Sequence, residues 1–221
     1  MNAPPRVLIS AGPTHEPIDA VRYLGNRSSG RMGLSLADAA VAAGCPTTLL
    51  LGPTTRTPID HSMLRVERFQ SCADLERLLN DAWPDHELLF MAAAVADYRP
   101  VETCEGGKLR RRSGRRSLEL EPTPDLLAGL AGCSRDDQLR IGWALEPRDE
   151  LMSSARAKLD RKSLDAIIAN PLETLESDRI EATLLGADGT TRTPDPPSVS
   201  KHEFAVWLLE QVLEMHAEAR S

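Results

Sequence analysis

The stretch from residue 7 to residue 52 most constrains the fold, because two short apolar runs enclose one helical repeat. VLIS (7–10) ends in the turn chemistry of Ala11-Gly12-Pro13, which suits a buried strand. Leu34, Ala37, Ala40 and Val41 then recur at helical spacing, so the pattern predicts a helix from Ser29 to Ala43 that stops at Gly44. TTLLLG (47–52) reads as the next strand. Strand, helix and strand in that order form a βαβ unit, the opening of a parallel sheet.

The alternation continues. A helix is predicted over 72–83, an apolar strand over 88–94 (LLFMAAA), and a helix opened by Thr123-Pro124-Asp125 after a charged segment, 105–121. Then come a strand at 139–145 (LRIGWAL), a helix at 149–162, a strand at 165–170 (DAIIAN), a hairpin within 181–192 and a closing helix at 201–217. In the last, Phe204, Trp207, Leu208 and Val212 fall on one side. The fold class is therefore α/β, with an open, largely parallel sheet, and neither a repeat nor a linker divides residues 1–221. Ligands of such sheets sit outside the carboxyl ends of the strands, at the switch point.

Composition narrows the function classes. The 221 residues are 41% hydrophobic, 27% charged and only 4% aromatic, which predicts a globular domain with a small-residue aliphatic core. A net charge of −7 argues against a general nucleic-acid binder, although local basic patches are compatible with it. Cys45, Cys72, Cys104 and Cys133 are about 27 to 32 residues apart, with no close pair for zinc or redox chemistry, and read as reduced thiols. MNAPPRVLIS lacks the pattern of a signal peptide, so a cytoplasmic protein is expected.

Three loops fall at the carboxyl edge. SAGPT (10–14) with NRSSG (26–30) supplies glycines for close backbone approach, Ser28 or Ser29 as a helix cap, and a helix N-terminus that favours an anion. An ordinary Gly/Ser turn gives the same letters. Asn26 offers a donor and an acceptor without charge, suited to an acyl group, although its spacing alone favours a left-handed turn residue. In MAAAVADYRP (91–100) the alanines leave room for a ligand, and Asp97 can accept from a ribose or base, approach a metal, or simply cap a turn. GGKLRRRSGRRSLELEP (106–122) reads as a protruding basic β-hairpin, with Lys108 either a point charge for an anion or part of a solvated ribbon.

Together these segments resemble the phosphopantothenate–cysteine ligase family. The resemblance rests on SAGPTHEPIDAVRYLGNRSSGRMG (10–33), AAAVADYRP (92–100), the Lys108 segment, PTPDLL (122–127), IGWALE (141–146) and ARAKLDRKSLDAIIAN (155–170), and so spans nearly the whole chain. It implies a Rossmann-like ligase domain of coenzyme A biosynthesis, without the flavin-dependent decarboxylase that usually accompanies it, acting as a homodimer. The implied reaction joins 4′-phosphopantothenate to L-cysteine through an acyl-nucleotidylate, with CTP the expected triphosphate and Mg²⁺ the expected ion. Asn26 would contact the activated acyl group and Lys108 would neutralise charge as it forms. Gly12, Asp97, Lys108, Pro124, Asp125, Leu126, Leu127, Trp143, Lys158 and Lys162 would contact the nucleotide, the two lysines facing one anion at i, i+4 spacing. Arg27, Ser28, Ser29, Gly30 and Ala94, with Asn26, would hold the substrate or its phosphate. The resemblance names no metal ligand. Lys108-Leu109-Arg110-Arg111 stands where the family usually has Lys-x-Lys-Lys, and Trp143 where it commonly has Phe.

Two other classes compete with this reading. A nicotinamide-dependent oxidoreductase would need a Gly-rich fingerprint after the first strand and an acid after the second, and residues 10–15 and 49–54 supply neither. A non-catalytic nucleotide or nucleic-acid binding module would act through Arg110 to Arg116.

Overall fold

The computed structural model describes residues 3–102, 107–110, 113–174 and 177–220. Cys104, Arg111 and Arg112, named above, lie outside the described residues.

Among the described residues fourteen strands are present: β1 (Val7–Ala11), β2 (His15–Pro17), β3 (Tyr23–Gly25), β4 (Thr47–Leu51), β5 (Leu64–Arg68), β6 (Leu88–Met91), β7 (Tyr98–Pro100), β8 (Leu120–Pro122), β9 (Leu139–Glu146), β10 (Ala166–Pro171), β11 (Arg179–Glu181), β12 (Thr183–Gly186), β13 (Thr191–Arg192) and β14 (Ser198–Ser200). The α-helices are α1 (Arg31–Ala42), α2 (Cys72–Ala82), α3 (Leu126–Gly129), α4 (Leu151–Arg161) and α5 (Lys201–Ala219).

The main sheet has eight strands in the order β13-β12-β10-β9-β6-β1-β4-β5. Pairing is parallel from β10 through to β5, and the β12–β13 hairpin adds an antiparallel edge. This is the expected α/β, Rossmann-like sheet.

Alternation along the strands sends side chains into two cores. Val7 and Ile9 of β1 pack with Leu34, Leu36 and Ala37 of α1 and with Phe204, Leu208 and Val212 of α5. Leu8, between them, packs into the other core with Leu75 and Leu79 of α2, Leu127 of α3 and Leu159 of α4. Both faces of the central strands are thus covered, which is why β1, β4, β6 and β10 are buried along their whole length. Helix α1 approaches β1 so closely that a Cβ on Gly33 would lie 2.4 Å from the Ala11 Cβ. Only glycine allows that approach.

Some expected boundaries shift. The 88–94 strand ends at Met91, because Ala92 to Ala94 turn to meet the loop after β1. Strand β5 and three small ribbons, β2–β3, β7–β8 and β11–β14, were not foreseen. In the ribbon that carries the basic run, pairing joins Tyr98–Pro100 to Leu120–Pro122 and extends to Val101 and Glu119, while the described residues of the run are not strand.

Candidate active site

Strand β1 has β4 on one side and β6 on the other, so the chain reverses its direction across the sheet there. The loops after β1 and β6 meet in that crevice. Pro13 bridges Ala94; the Thr14 N–H donates to the Ala94 carbonyl (3.2 Å), the Ala94 N–H to the Gly12 carbonyl (2.9 Å), and the Ala96 N–H to Thr14 Oγ1 (2.9 Å). A cleft of about 610 Å³ opens outside these loops. It fits a nucleotide-sized ligand.

The cleft gathers most of the residues picked out above. Asn26, Ser28, Ser29, Gly30, Ala94, Asp97, Pro124, Asp125, Leu126, Leu127, Trp143, Lys158 and Lys162 all line it. Gly12, Arg27 and Lys108 do not. The Gly12 backbone instead backs the cleft floor, with its nitrogen 3.4 Å from where a Gly30 Cβ would stand. Arg27 and Lys108 are exposed outside the wall.

The entry to α1 differs from the expected serine cap. Gly30 is the N-cap, in the left-handed region at φ 70°, and no side-chain hydrogen bond caps the helix. The Ser28 and Ser29 hydroxyls accept only long bonds, 3.4 Å each, from the N–H groups of Gly30 and Arg31. The glycine conformation wins because the chain must turn sharply out of the loop into the helix. Helix geometry then leaves the first-turn N–H groups, at Met32 and Gly33 in the cleft wall, without intrahelical acceptors. That is a site for negative charge.

Asn26 is held in place by its own amide. Nδ2 donates to the Val95 carbonyl at 2.9 Å, which uses one of its two hydrogens and leaves Oδ1 as an acceptor. Asp125 caps α3 by accepting from the Ala128 N–H (3.2 Å), and it also ion-pairs with Lys162 at 3.0 Å. Lys158 donates to Glu146 Oε1 at 2.5 Å, a bond that holds the Glu146 carboxyl below its usual range. The two lysines therefore share the cleft but not a single partner. Each is pre-positioned by a carboxylate on a neighbouring element.

Several lining residues had not been singled out. Arg31, Arg161 and Lys201 add positive charge, and Asn170 and Thr174 add polar groups. Arg31 ion-pairs with Asp178. Lys201 is 8% exposed, and burial, then the charges of Arg31 and Arg56, push its ammonium down. A lysine in the first turn of a helix opposes the helix dipole, so its position was itself a signal. Asn170 lies at the end of β10, where the carboxyl-edge rule points; its Nδ2 donates to Thr174 Oγ1 at 3.2 Å, and its buried Oδ1 has no partner among the described residues. Among the described residues, five cationic side chains and two acidic ones line the cleft. The chain as a whole carries −7. The arrangement can take a ligand with several negative charges, give it a flat ring against Trp143, and meet an uncharged polar group through Asn26.

Residues 3–215 match the family described as the DNA/pantothenate metabolism flavoprotein C-terminal domain. A cysteine/cysteine sulfinic acid decarboxylase from an unknown prokaryotic organism is 44% identical over 168 residues, 76% of this chain and 46% of that protein. The coenzyme A biosynthesis bifunctional protein CoaBC of Bacillus subtilis is 33% identical over 210 residues, 93% of this chain and 50% of that protein. The chain thus spans about half the length of the curated relatives it matches. A crystal structure of the C-terminal domain of a CoaBC protein superposes with a TM-score of 0.81 at 32% identity, covering 99% of this chain and 100% of that one. Fold and sequence agree, and the chain belongs to the DNA/pantothenate metabolism flavoprotein C-terminal domain family.

Proposed function

We propose that the chain is an amide-forming ligase that joins 4′-phosphopantothenate to L-cysteine with CTP. The observation that carries this reading is a cationic cleft at the switch point of an acidic chain, with Asn26 and Trp143 both in its lining. The similarity to CoaBC proteins supports it.

In the first step a substrate carboxylate oxygen attacks the α-phosphorus of CTP. The α–β P–O bond breaks, giving acyl-CMP and pyrophosphate. In the second, the cysteine nitrogen attacks the acyl carbon, the bond from that carbon to the phosphate oxygen breaks, CMP leaves, and the nitrogen loses a proton. Arg31, Lys158, Lys162 and Lys201 would hold the anionic groups, and the α1 N-terminus would add N–H donors. Trp143 and Asp97 would contact base and sugar. The remaining Nδ2 hydrogen of Asn26 would steady the acyl oxygen while Oδ1 accepts from the incoming amine. Lys108, from its exposed position, would neutralise the first transition state.

Of the two carboxylates in the cleft wall, Asp125 is already engaged by Lys162, so the residues fit an Mg²⁺ held mainly by phosphate oxygens with Asp97 as the protein oxygen at hand. Such an ion would offset charge on the departing pyrophosphate. We also propose a homodimer, formed through the apolar β2–β3 and β7–β8 ribbons, and a flavin-dependent decarboxylase, fused or separate, that consumes the product. Among the described residues no helix is long and apolar enough to cross a membrane.

The test is pyrophosphate release by the purified protein with 4′-phosphopantothenate, L-cysteine and Mg²⁺, comparing CTP with ATP. Release with CTP is expected. Release with ATP alone would overturn the choice of triphosphate and direct attention to Trp143. No release with either, or carbon dioxide release from cysteine alone, would overturn the ligase.

A further inference from the structure

We propose that Asp19 is a positioning residue for Lys108, through a clamp that ties the basic segment to the turn between β2 and β3. The inference rests on the role given to Lys108 above.

Asp19 sits in that turn with its side chain at 0% exposure. A carboxylate there is stable only if its oxygens are satisfied. Oδ1 accepts from the Val21 N–H (2.9 Å) and the Arg22 N–H (2.8 Å). Oδ2 accepts from Arg22 Nε (3.0 Å), from Arg22 Nη2, and from the Leu109 N–H at 3.0 Å. The last bond spans 90 residues of sequence. Two more bonds join the same elements: Arg22 Nη2 donates to the Leu109 carbonyl (2.9 Å), and the Ala20 N–H donates to the Gly107 carbonyl (3.0 Å).

The backbone is therefore fixed on both sides of Lys108, at Gly107 and at Leu109, while the Lys108 side chain stays exposed. The paired arms of the ribbon, Tyr98–Pro100 and Leu120–Pro122, lie far along the chain from this point and do not set it. The turn that holds Gly107 and Leu109 runs directly into β3 and from there to Asn26, which lines the cleft. One buried carboxylate thus references Lys108 to Asn26. A mobile lysine would spend little time where charge develops, and misplacement of about 1 Å is enough to cost about 100-fold in rate. The Arg22 hydrogen bond, first among several, holds the Asp19 carboxyl well below the usual carboxylate range, so the clamp stays charged through neutral pH.

Two variants and two readouts test this. In Asp19→Asn, trypsin should cut after Arg110, Arg115 and Arg116 at least about tenfold faster than in the unaltered protein, with cleavage elsewhere unchanged although the thermal midpoint falls by a few degrees. Leu109→Pro removes the N–H that donates to Asp19, together with the leucine side chain and the freedom of φ at 109, and should do the same. Unchanged cleavage in both variants overturns the clamp, whatever the protein catalyses. In single turnovers without cysteine, Asp19→Asn should lower the maximal rate of pyrophosphate release at least about tenfold, with the CTP concentration for half that rate changed within about twofold. The double variant Asp19→Asn, Lys108→Gln should be no slower than Lys108→Gln alone, since both remove the same contribution. Losses that multiply would show that Asp19 acts independently of Lys108 and overturn the proposal. If the unaltered protein releases no pyrophosphate, the ligase reading fails and the protease result alone decides the clamp.

Discussion

Asn26 shows how a single hydrogen bond changes what a residue can do. An asparagine in a Gly/Ser loop is as readily a turn residue as a ligand. Asn26 is not in the left-handed region, its Nδ2 bond to the Val95 carbonyl bridges to the neighbouring loop, and the residue lines the cleft. Replacement by aspartate would set a carboxylate oxygen against that carbonyl and remove both donor hydrogens. Asn26→Asp should therefore let acyl-CMP form at a rate within about threefold of the unaltered enzyme, while transfer to cysteine falls by at least about tenfold. Quenched-flow separation of bound acyl-CMP from product checks it: accumulation is expected, and equal loss of both steps would remove Asn26 from the second.

Elements carry a different kind of consequence, seen where α2 meets the sheet. His86 follows α2 and is 8% exposed, with Nδ1 2.7 Å from the Ala82 carbonyl and Nε2 2.9 Å from Thr48 Oγ1 of β4. Nδ1 must carry the hydrogen for the first contact, so Nε2 accepts from threonine. Burial holds the imidazole below its ordinary value. The folded state therefore resists protonation more than the unfolded chain. Above the unfolded value of about 6.5 its contribution is fully present, and it is lost as pH falls from there through the folded value. Denaturant midpoints should drop as pH falls below about 6.5 in the unaltered protein, and drop less in His86→Gln. Equal slopes would assign the acid sensitivity to other groups. The same scale shows what could be read in advance. The βαβ opening, the strand at 139–145 and the closing helix were legible because long periodic runs state their own period. Three-residue strands such as β2, β3, β7 and β8 have too few positions to show one, and their pairing is set by partners distant in sequence. Most of the cleft was legible because its loops follow buried strands. Lys201 was not singled out, since it reaches the cleft from the start of a helix that otherwise reads as core, and Lys158 and Lys162 gained their carboxylate partners only through the fold.

At the scale of the whole molecule, the two ribbons beside the cleft present an apolar surface that the monomer does not cover. Val21, Tyr23, Tyr98, Val101, Leu118 and Leu120, six of the ten large exposed hydrophobic side chains among the described residues, lie on or beside them, Val21 at 62% exposure and Tyr98 at 53%. Strand β2 packs against β7, so the two ribbons form one surface. A contiguous patch of this kind on a chain of net charge −7 fits a second copy of the same surface, because apolar burial needs no charge complementarity. These ribbons also carry the catalytic candidates: β3 leads to Asn26, and the basic segment between β7 and β8 carries Lys108. Covering the ribbons would stiffen both, so dimerisation and activity should be linked. Paired substitution Val21→Glu, Tyr98→Glu would place four like charges across such an interface. Sedimentation should show a dimer for the unaltered protein and a monomer for the variant. Specific pyrophosphate release by the unaltered protein should decline on dilution over the same concentrations at which the dimer dissociates, while the variant stays low throughout. A monomeric protein with concentration-independent activity would sever the link, and Asn26 and Lys108 would then have to be held by the fold of one chain alone.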